Sequence, residues 1–348
     1  MDRRPTRPHR AAVGGKGIVV ADMSGPERAG NGRSLTRWAS AAACALTLVT
    51  ASGAAFVPAA AATGADTRTG TSGVAPTEPV NILNAPTLVA HTALGDVGYR
   101  EVGEGSPIVL ITGYLASMDN WAPSFLDALA AHHRVVVFDN AGVGESAPLP
   151  GTPTVSGMAD QTSALISTLR LRRPAVLGWS LGGMIAQALA VRRPDQVGRL
   201  VLAATQAGTG RSLPVPAAAA AAVNSPNPLV VLSVLFPADQ SAAAQTYLAG
   251  ILEYPGLYSA SETVRAEQTA AIDQWLAGQD PSGREVGRIH VPIMIADGAQ
   301  DALDPAPNAW ILAHAVPGAE VLLFPDAGHA FLFQDSAQFV PALDRFVR

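Results

Sequence analysis

From Pro86 onward the sequence alternates short β-branched apolar runs with segments of helical length, and this alternation constrains the fold more than any other feature. The runs at 88–92, 97–102, 108–112, 134–139, 175–179, 199–204, 293–296 and 320–324 read as strands. Helical patterns fall between them at 121–131, 155–171, 181–193, 308–315 and 337–347. Strands joined through helices run parallel and need cover on both sides. The pattern therefore predicts an α/β fold, a mostly parallel eight-stranded sheet with helices on both faces. The alternation breaks once. Residues 206–289 hold no convincing strand and several Ala-rich helical pieces, at 216–223, 229–235, 241–252 and 261–276. This insertion predicts a helical cap over a site at the carboxyl ends of the strands, with the core made by 86–205 and 290–348.

The first 62 residues read as a leader and signal peptide. Arg28, Arg33 and Arg37 precede an uncharged run at 38–62 that ends in small residues suited to cleavage, the pattern of a secretory signal. Met23 offers an alternative start with a more ordinary basic region. The competing reading is an uncleaved membrane anchor, since the run approaches the roughly 20 residues that span a bilayer. Its Ala, Ser and Thr content and Pro58 make it a weak span. Lipidation is disfavoured, because Cys44 lies near the start of the run with Ala41 three residues before it. Residues 63–85, Thr-, Gly- and Ala-rich at their start, read as a linker. The expectation is a secreted protein with no stable membrane partner once the signal is removed.

Charge and cysteine content exclude several function classes. Of the 23 Lys and Arg and 28 Asp and Glu, residues 1–63 hold eight and three, which leaves an acidic body. Such a body has no basic run with which to neutralise phosphates, so no nucleic-acid partner is expected. A single cysteine, Cys44, excludes a disulfide framework and cysteine-based zinc sites. No metal and no cofactor are expected.

The chemistry concentrates at Gly178-Trp179-Ser180-Leu181-Gly182-Gly183, between the run 175–179 and a helical pattern. A G-x-S-x-G at a strand-to-helix junction forces a tight turn that lifts the serine hydroxyl above the sheet. Backbone N–H groups at the start of the helix behind it favour a developing oxyanion. A serine needs a base, and the base needs a carboxylate to fix its tautomer. After Ser180 come His290, His314 and His329. His290 lies at a strand's lead-in and His314 within an amphipathic helix. His329 lies in the loop Pro325-Asp326-Ala327-Gly328-His329, at a strand's carboxyl end. The carboxylate candidates are Asp297, Asp301 and Asp304. Asp297-Gly298 reads as a turn and Asp304, before Pro305, as a helix cap, which favours Asp301 as the orienting acid. For the oxyanion, the N–H of Leu181 and that of Tyr114, in the loop Gly113-Tyr114-Leu115, are the candidate donors. The G-x-G within Asp139–Ser146 lacks the third glycine and helix start of a dinucleotide fingerprint and reads as a strand-exit loop.

From Pro86 to Arg348 these features resemble the α/β-hydrolase superfamily, in its branch with a helical cap. The order Ser180, Asp301, His329 matches the family's nucleophile, acid and histidine. The segments Gly298-x-x-Asp301-x-x-x-Pro305, Ala327-Gly328-His329 and Asp139 to Ser146 are similar to its loops. Thr112 stands where many members have His, and Asn140-Ala141 replaces an Arg-containing step, which loosens any transfer of substrate preference. The resemblance implies a serine hydrolase acting on a small carboxylic ester or lactone through an acyl-enzyme, without a cofactor, and the signal pattern adds the expectation that it is secreted. Two alternatives stay open: a cofactor-free perhydrolase or haloperoxidase, with peroxide replacing water, and a non-catalytic binding protein on the same fold. The pocket is expected between cap and sheet, with Trp121, Trp179, Phe236, Tyr254 and Trp275, and also Tyr247 and Tyr258, as candidate walls.

Overall fold

The computed structural model describes residues 19–22 and 81–348 apart from 257 and 317. The signal-like run, its cleavage point and the start of the linker lie outside the described residues. The predicted strands all form: β2 (Leu88–Thr92), β3 (Gly95–Val102), β4 (Ser106–Ile111), β5 (His133–Phe138), β6 (Ala175–Trp179), β7 (Arg199–Ala203), β8 (Ile293–Gly298) and β9 (Glu320–Phe324). A further strand, β1 (Val19–Asp22), pairs antiparallel with β9, Val19 opposite Leu323 and Asp22 opposite Glu320. This part of the leader region therefore joins the sheet, contrary to the expectation that all of 1–62 stands apart from the fold. The sheet order is β1-β9-β8-β7-β6-β4-β5-β3-β2, parallel from β9 through β5 and antiparallel at both margins.

The central strands read as continuous apolar runs because both their faces are covered: Ile108 to Ile111, Val135 to Phe138 and Leu200 to Ala203 are fully buried. One face packs on α1 (Pro123–Ala130) and α10 (Ser336–Val347), with Phe125, Phe324, Phe331 and Phe339 at its centre. The other packs on α2 (Val155–Thr168), α3 (Leu181–Arg192) and α9 (Pro307–Ala315), through Met158, Leu165, Ile185, Leu189 and Leu312. Between β7 and β8 the insertion forms α4 (Ala217–Val223), α5 (Pro228–Leu235), α6 (Ser241–Ile251), α7 (Glu262–Leu276) and the short α8 (Pro281–Arg284), with no strand among its described residues. Leu232, Leu235, Tyr247 and Ile251 join the first core face, and Ala271 and Trp275 join the second. The cap is thus anchored on both sides of the sheet's carboxyl edge.

Two boundaries shift. Asp280 accepts from the Ser156 hydroxyl at 2.6 Å and the Ser156 N–H at 3.1 Å, tying the insertion's end to the start of α2, so 280–289 belongs to the core rather than the cap. The linker expected to reach residue 85 ends earlier. Ile82 is 1% exposed and its N–H donates to Asp127 at 3.0 Å, because an isolated isoleucine gains more by filling the core than by staying in solvent. Among the described residues no helix is long and apolar enough to cross a membrane.

Candidate active site

The sheet changes direction of travel at β4, which lies between β5 and β6, and a crevice opens at the carboxyl ends of strands that diverge in this way. The loops after β4 and β6 meet there. Ser180 follows β6 directly and adopts φ 58° and ψ −121°, a conformation that costs a non-glycine residue free energy and persists only where neighbours enforce it. They do. The Ser180 N–H donates to Ala203 O at 2.9 Å, and the Thr205 hydroxyl donates to Ser180 O at 2.7 Å. A Cβ at Gly182 would strike the Ile111 carbonyl, so the turn can press against β4 only with glycine there.

His329 and Asp301 come together as the sequence suggested. Nδ1 of His329 lies 2.7 Å from Asp301 Oδ2, and the two side chains are 4% and 0% exposed. Asp301 Oδ1 accepts the N–H groups of Leu303 at 2.7 Å and Asp304 at 2.8 Å, which fixes the carboxylate from behind. Burial opposes charging of the imidazole, but the charge and hydrogen bond of Asp301, with the charge of Asp304, outweigh it and raise the His329 pKa above 6.5. Trp179 holds the loop in place, its indole N–H donating to His329 O at 3.0 Å. His290 and His314 lie away from this cluster: neither lines the cavity that Ser180 and His329 share, and His314 Nδ1 is 2.6 Å from Trp310 O on α9.

The other aspartates separate. Asp297 accepts the Gly298 N–H at 2.7 Å, as a turn residue, and its pKa is raised well above the usual carboxylate range by burial and then by the charges of Asp301 and Asp304. Asp304 is not the expected helix cap. The first turn of α9 has no side-chain cap, and Asp304 instead accepts from Asn308 Nδ2 at 2.7 Å while lining the cavity. The capping reading failed because Asn308, four residues on, turns back towards it.

The β4 loop approaches the nucleophile so closely that a Cβ on Gly113 would stand 3.3 Å from Ser180 Cβ. Leu115, with φ 56°, donates its N–H to Gln268 of α7 at 2.8 Å, and the Tyr114 hydroxyl lies 3.0 Å from Asn224 and 2.8 Å from Thr269. The loop is thereby held by the cap. Among the described hydrogen bonds, the N–H groups of Tyr114 and Leu181 have no protein acceptor. Thr112 and Asn140, the two departures from the family pattern, pair with each other: Asn140 Nδ2 donates to Thr112 O and to Thr112 Oγ1, both at 3.1 Å. The G-x-G segment closes on Asp139, whose carboxylate accepts from Met118 and Glu145 N–H, as a strand-exit loop does. Burial raises that carboxyl to about 6.

The cavity has two lobes that share Tyr114, Ser180, Val223, Leu303 and His329. One, of about 500 Å³, opens towards α5 and α6 and is walled by Trp179, Leu232, Leu235, Tyr247, Ile251 and Tyr258. The other, of about 480 Å³, lies under α4 and α7, against Met184, Val215, Ile272 and Leu276, with Gln206 and Asp304. Of the candidate walls, Trp179, Tyr247 and Tyr258 line it, whereas Trp121, Phe236, Tyr254 and Trp275 do not. Trp121 packs between Phe125, Trp179 and Phe333, and Phe236 lies against Tyr247. Tyr254 donates to Trp121 O and lies under Arg100, and Trp275 donates to Gln206 O. Large rings at these positions fill the core and bury more area there than a cavity wall would allow. The aliphatic lining, Met184, Val223 and Leu303 among it, was not singled out in the sequence, where nothing separates it from ordinary core residues.

A family model described as alpha/beta hydrolase fold matches residues 106–230. A Mycobacterium tuberculosis protein named "Putative non-heme bromoperoxidase BpoC" is 30% identical over 254 residues, covering 69% of this chain and 92% of that one. Among solved structures, an alpha/beta hydrolase fold protein from Chitinophaga pinensis superimposes with a TM-score of 0.66 at 25% identity, over 77% of this chain and 98% of its own. The enol-lactonase from Burkholderia xenovorans LB400 does so with a TM-score of 0.59 at 25% identity, over 74% and 99%. The chain belongs to the α/β-hydrolase superfamily. Its relatives are named as a bromoperoxidase, a carbamate hydrolase and an enol-lactonase.

Proposed function

We propose that this protein is a serine hydrolase that cleaves a carboxylic ester or lactone through an acyl-enzyme. The observation that carries the reading is the buried 2.7 Å hydrogen bond from His329 to Asp301 at a cavity that also holds the strained Ser180. In the proposed reaction His329 Nε2 takes the Ser180 proton as Oγ attacks the carbonyl carbon. The carbonyl oxygen gains the negative charge and accepts the N–H groups of Tyr114 and Leu181. Collapse of the tetrahedral intermediate breaks the bond to the alkoxide, which leaves with the proton from His329. Water then attacks the acyl-enzyme with His329 again as base, returning the carboxylic acid and free Ser180. Asp301 keeps the proton on Nδ1 and stabilises the imidazolium throughout.

The test is a chain-length series of 4-nitrophenyl esters. A pre-steady-state burst of one nitrophenolate per Ser180 is expected, and lack of turnover on every ester and lactone would refute the reading. A second reading, peroxide in place of water at the acyl-enzyme, is favoured by the relative named as a bromoperoxidase. Peroxide-dependent halogenation in acetate buffer, measured beside ester hydrolysis on one preparation, separates the two. A fluorophosphonate that fails to label folded protein would point to a binding protein instead.

We also propose export, with cleavage near residue 62. Such cleavage removes β1 and bares the edge of β9, so the two states differ in mass and in the sheet.

A further inference from the structure

The lobe under α4 and α7 contains two buried acceptor oxygens, on neighbouring side chains, that no donor in the protein approaches with good hydrogen-bond geometry. Asp304 is 3% exposed and shares this lobe with Ser180 and His329. Its Oδ1 accepts from Asn308, and Asn308 is clamped in turn, accepting the Leu213 N–H at 2.7 Å and donating to Leu213 O at 3.0 Å. The carboxyl is therefore fixed in orientation before any ligand arrives. No close hydrogen bond reaches its Oδ2, although the Gln206 side chain lies near enough to favour the ionised carboxyl. Gln206 lines the same lobe, is 2% exposed, and leaves Oε1 without a partner. The remaining walls of the lobe are largely aliphatic, Met184, Val215, Ile272 and Leu276 among them. Unpaired buried acceptors destabilise a fold, and a few oriented polar groups in a mainly apolar cavity are how ligand sites select their ligands.

We propose that Asp304, with Gln206 beside it, is a specificity-determining residue that accepts a hydrogen bond from an amide N–H or hydroxyl carried by the substrate. The inference rests on the ester and lactone reading above and narrows it to substrates with a donor on the portion that enters this lobe. A plain alkyl ester offers neither oxygen a donor in the complex, whereas a donor-bearing ester satisfies at least one. Burial and the neighbouring charge of Asp301 push the Asp304 carboxyl up to about 7, so at neutral pH little free energy separates its ionised, accepting form from the neutral acid.

Matched substrates test this on both sides of the scissile bond. On the acyl side, 4-nitrophenyl N-acetyl-β-alaninate is compared with 4-nitrophenyl 5-oxohexanoate, which has a methylene in place of the N–H. On the alcohol side, 2-acetamidoethyl butyrate is compared with 4-oxopentyl butyrate. The full chain is expected to prefer the amide member of one pair by about tenfold or more in kcat/KM, expressed mainly in KM. In Asp304→Leu that ratio is expected to fall to within about twofold of unity, because the oriented carboxylate is gone and Gln206 loses the side chain beside it. Asp304→Asn keeps the shape and the bond from Asn308 while replacing Oδ2 by a donor, and is expected to lose the preference as well. Thermal melting and fluorophosphonate labelling of Ser180 establish that each variant is folded, and the asparagine variant decides if leucine is not tolerated. Equal turnover of both members of each pair by the unaltered protein, or a preference that survives in the folded variants, would overturn the inference and leave the hydrolase reading standing. Failure to turn over any ester or lactone would sink both.

Discussion

Replacing Asp301 by Asn is isosteric, yet the surroundings dictate what it does to His329. In the native site Oδ1 faces two donors, the N–H groups of Leu303 and Asp304, and Oδ2 faces His329 Nδ1. An asparagine must point its carbonyl oxygen at the two backbone donors, since an NH₂ there would leave both unpaired in a buried site. Its NH₂ then faces Nδ1 and donates to it. Nδ1 becomes an acceptor, the imidazole proton moves to Nε2, and Nε2 meets Ser180 as a donor instead of a base. Neutralising the carboxylate of a serine-protease triad lowers kcat by about 10⁴, or about 5 kcal/mol of transition-state stabilisation, and a loss of that size is expected here. The acidic limb of the pH profile should move as well. The charge of Asp301 is the main influence raising the His329 pKa against burial, so without it burial lowers that pKa and the residual activity extends to lower pH. The assay is 4-nitrophenyl acetate turnover across pH, with thermal melting to confirm folding. Asp297→Asn serves as the control, expected to stay within about tenfold of the parent because Asn can accept the Gly298 N–H as Asp does. If Asp301→Asn keeps turnover while Asp297→Asn or Asp304→Asn abolishes it, the assignment of the acid is wrong.

Three further outcomes are expected. The kcat/KM of the unaltered protein should fall as pH drops, with a midpoint above 6.5, because the raised His329 pKa removes the neutral base earlier than for a free histidine. A midpoint well below that value contradicts the ion-pair argument. Phe339→Ala should lower unfolding stability by about 3–5 kcal/mol in denaturant titration, since it empties the centre of the ring cluster made with Phe125, Phe324 and Phe331. A loss below about 1 kcal/mol would mean that this core face relaxes freely. Intact mass of secreted material should place the amino terminus near Thr63 or Asp66, and a species that keeps Cys44 would contradict export with cleavage.

The strand-turn-helix at Ser180 was legible because every determinant is local: a short apolar run, glycines where backbones touch, and a helix-forming stretch, all within 175–192. The same holds for His329 and Asp301, each read from its place after a strand. What failed depended on distant partners. Asp304 looked like a cap until the Leu213 backbone, brought from across the fold, held Asn308 in position to donate to it. Trp121, Phe236, Tyr254 and Trp275 looked like pocket walls because the sequence marks aromatic residues and does not mark which side of a helix or loop meets the core. The pairing of Thr112 with Asn140 joins the ends of two neighbouring strands, and the short β1 gains its place only from an edge formed some 300 residues later, a non-local pairing that local propensity does not encode. The separation between β1 and β9 is visible only once both elements are known.

The central claim is that Ser180 is the nucleophile, and the most direct measurement is ester turnover and fluorophosphonate labelling of Ser180→Ala beside the unaltered protein. The substitution removes one hydroxyl at a half-buried turn and opens no large cavity, so the fold should persist by thermal melting. The unaltered protein is expected to take up one phosphonyl group, mapped by peptide mass to the segment containing Ser180, and the alanine variant to take up none and to lose turnover. An alanine variant that hydrolyses the same esters with unchanged kinetics would contradict the account.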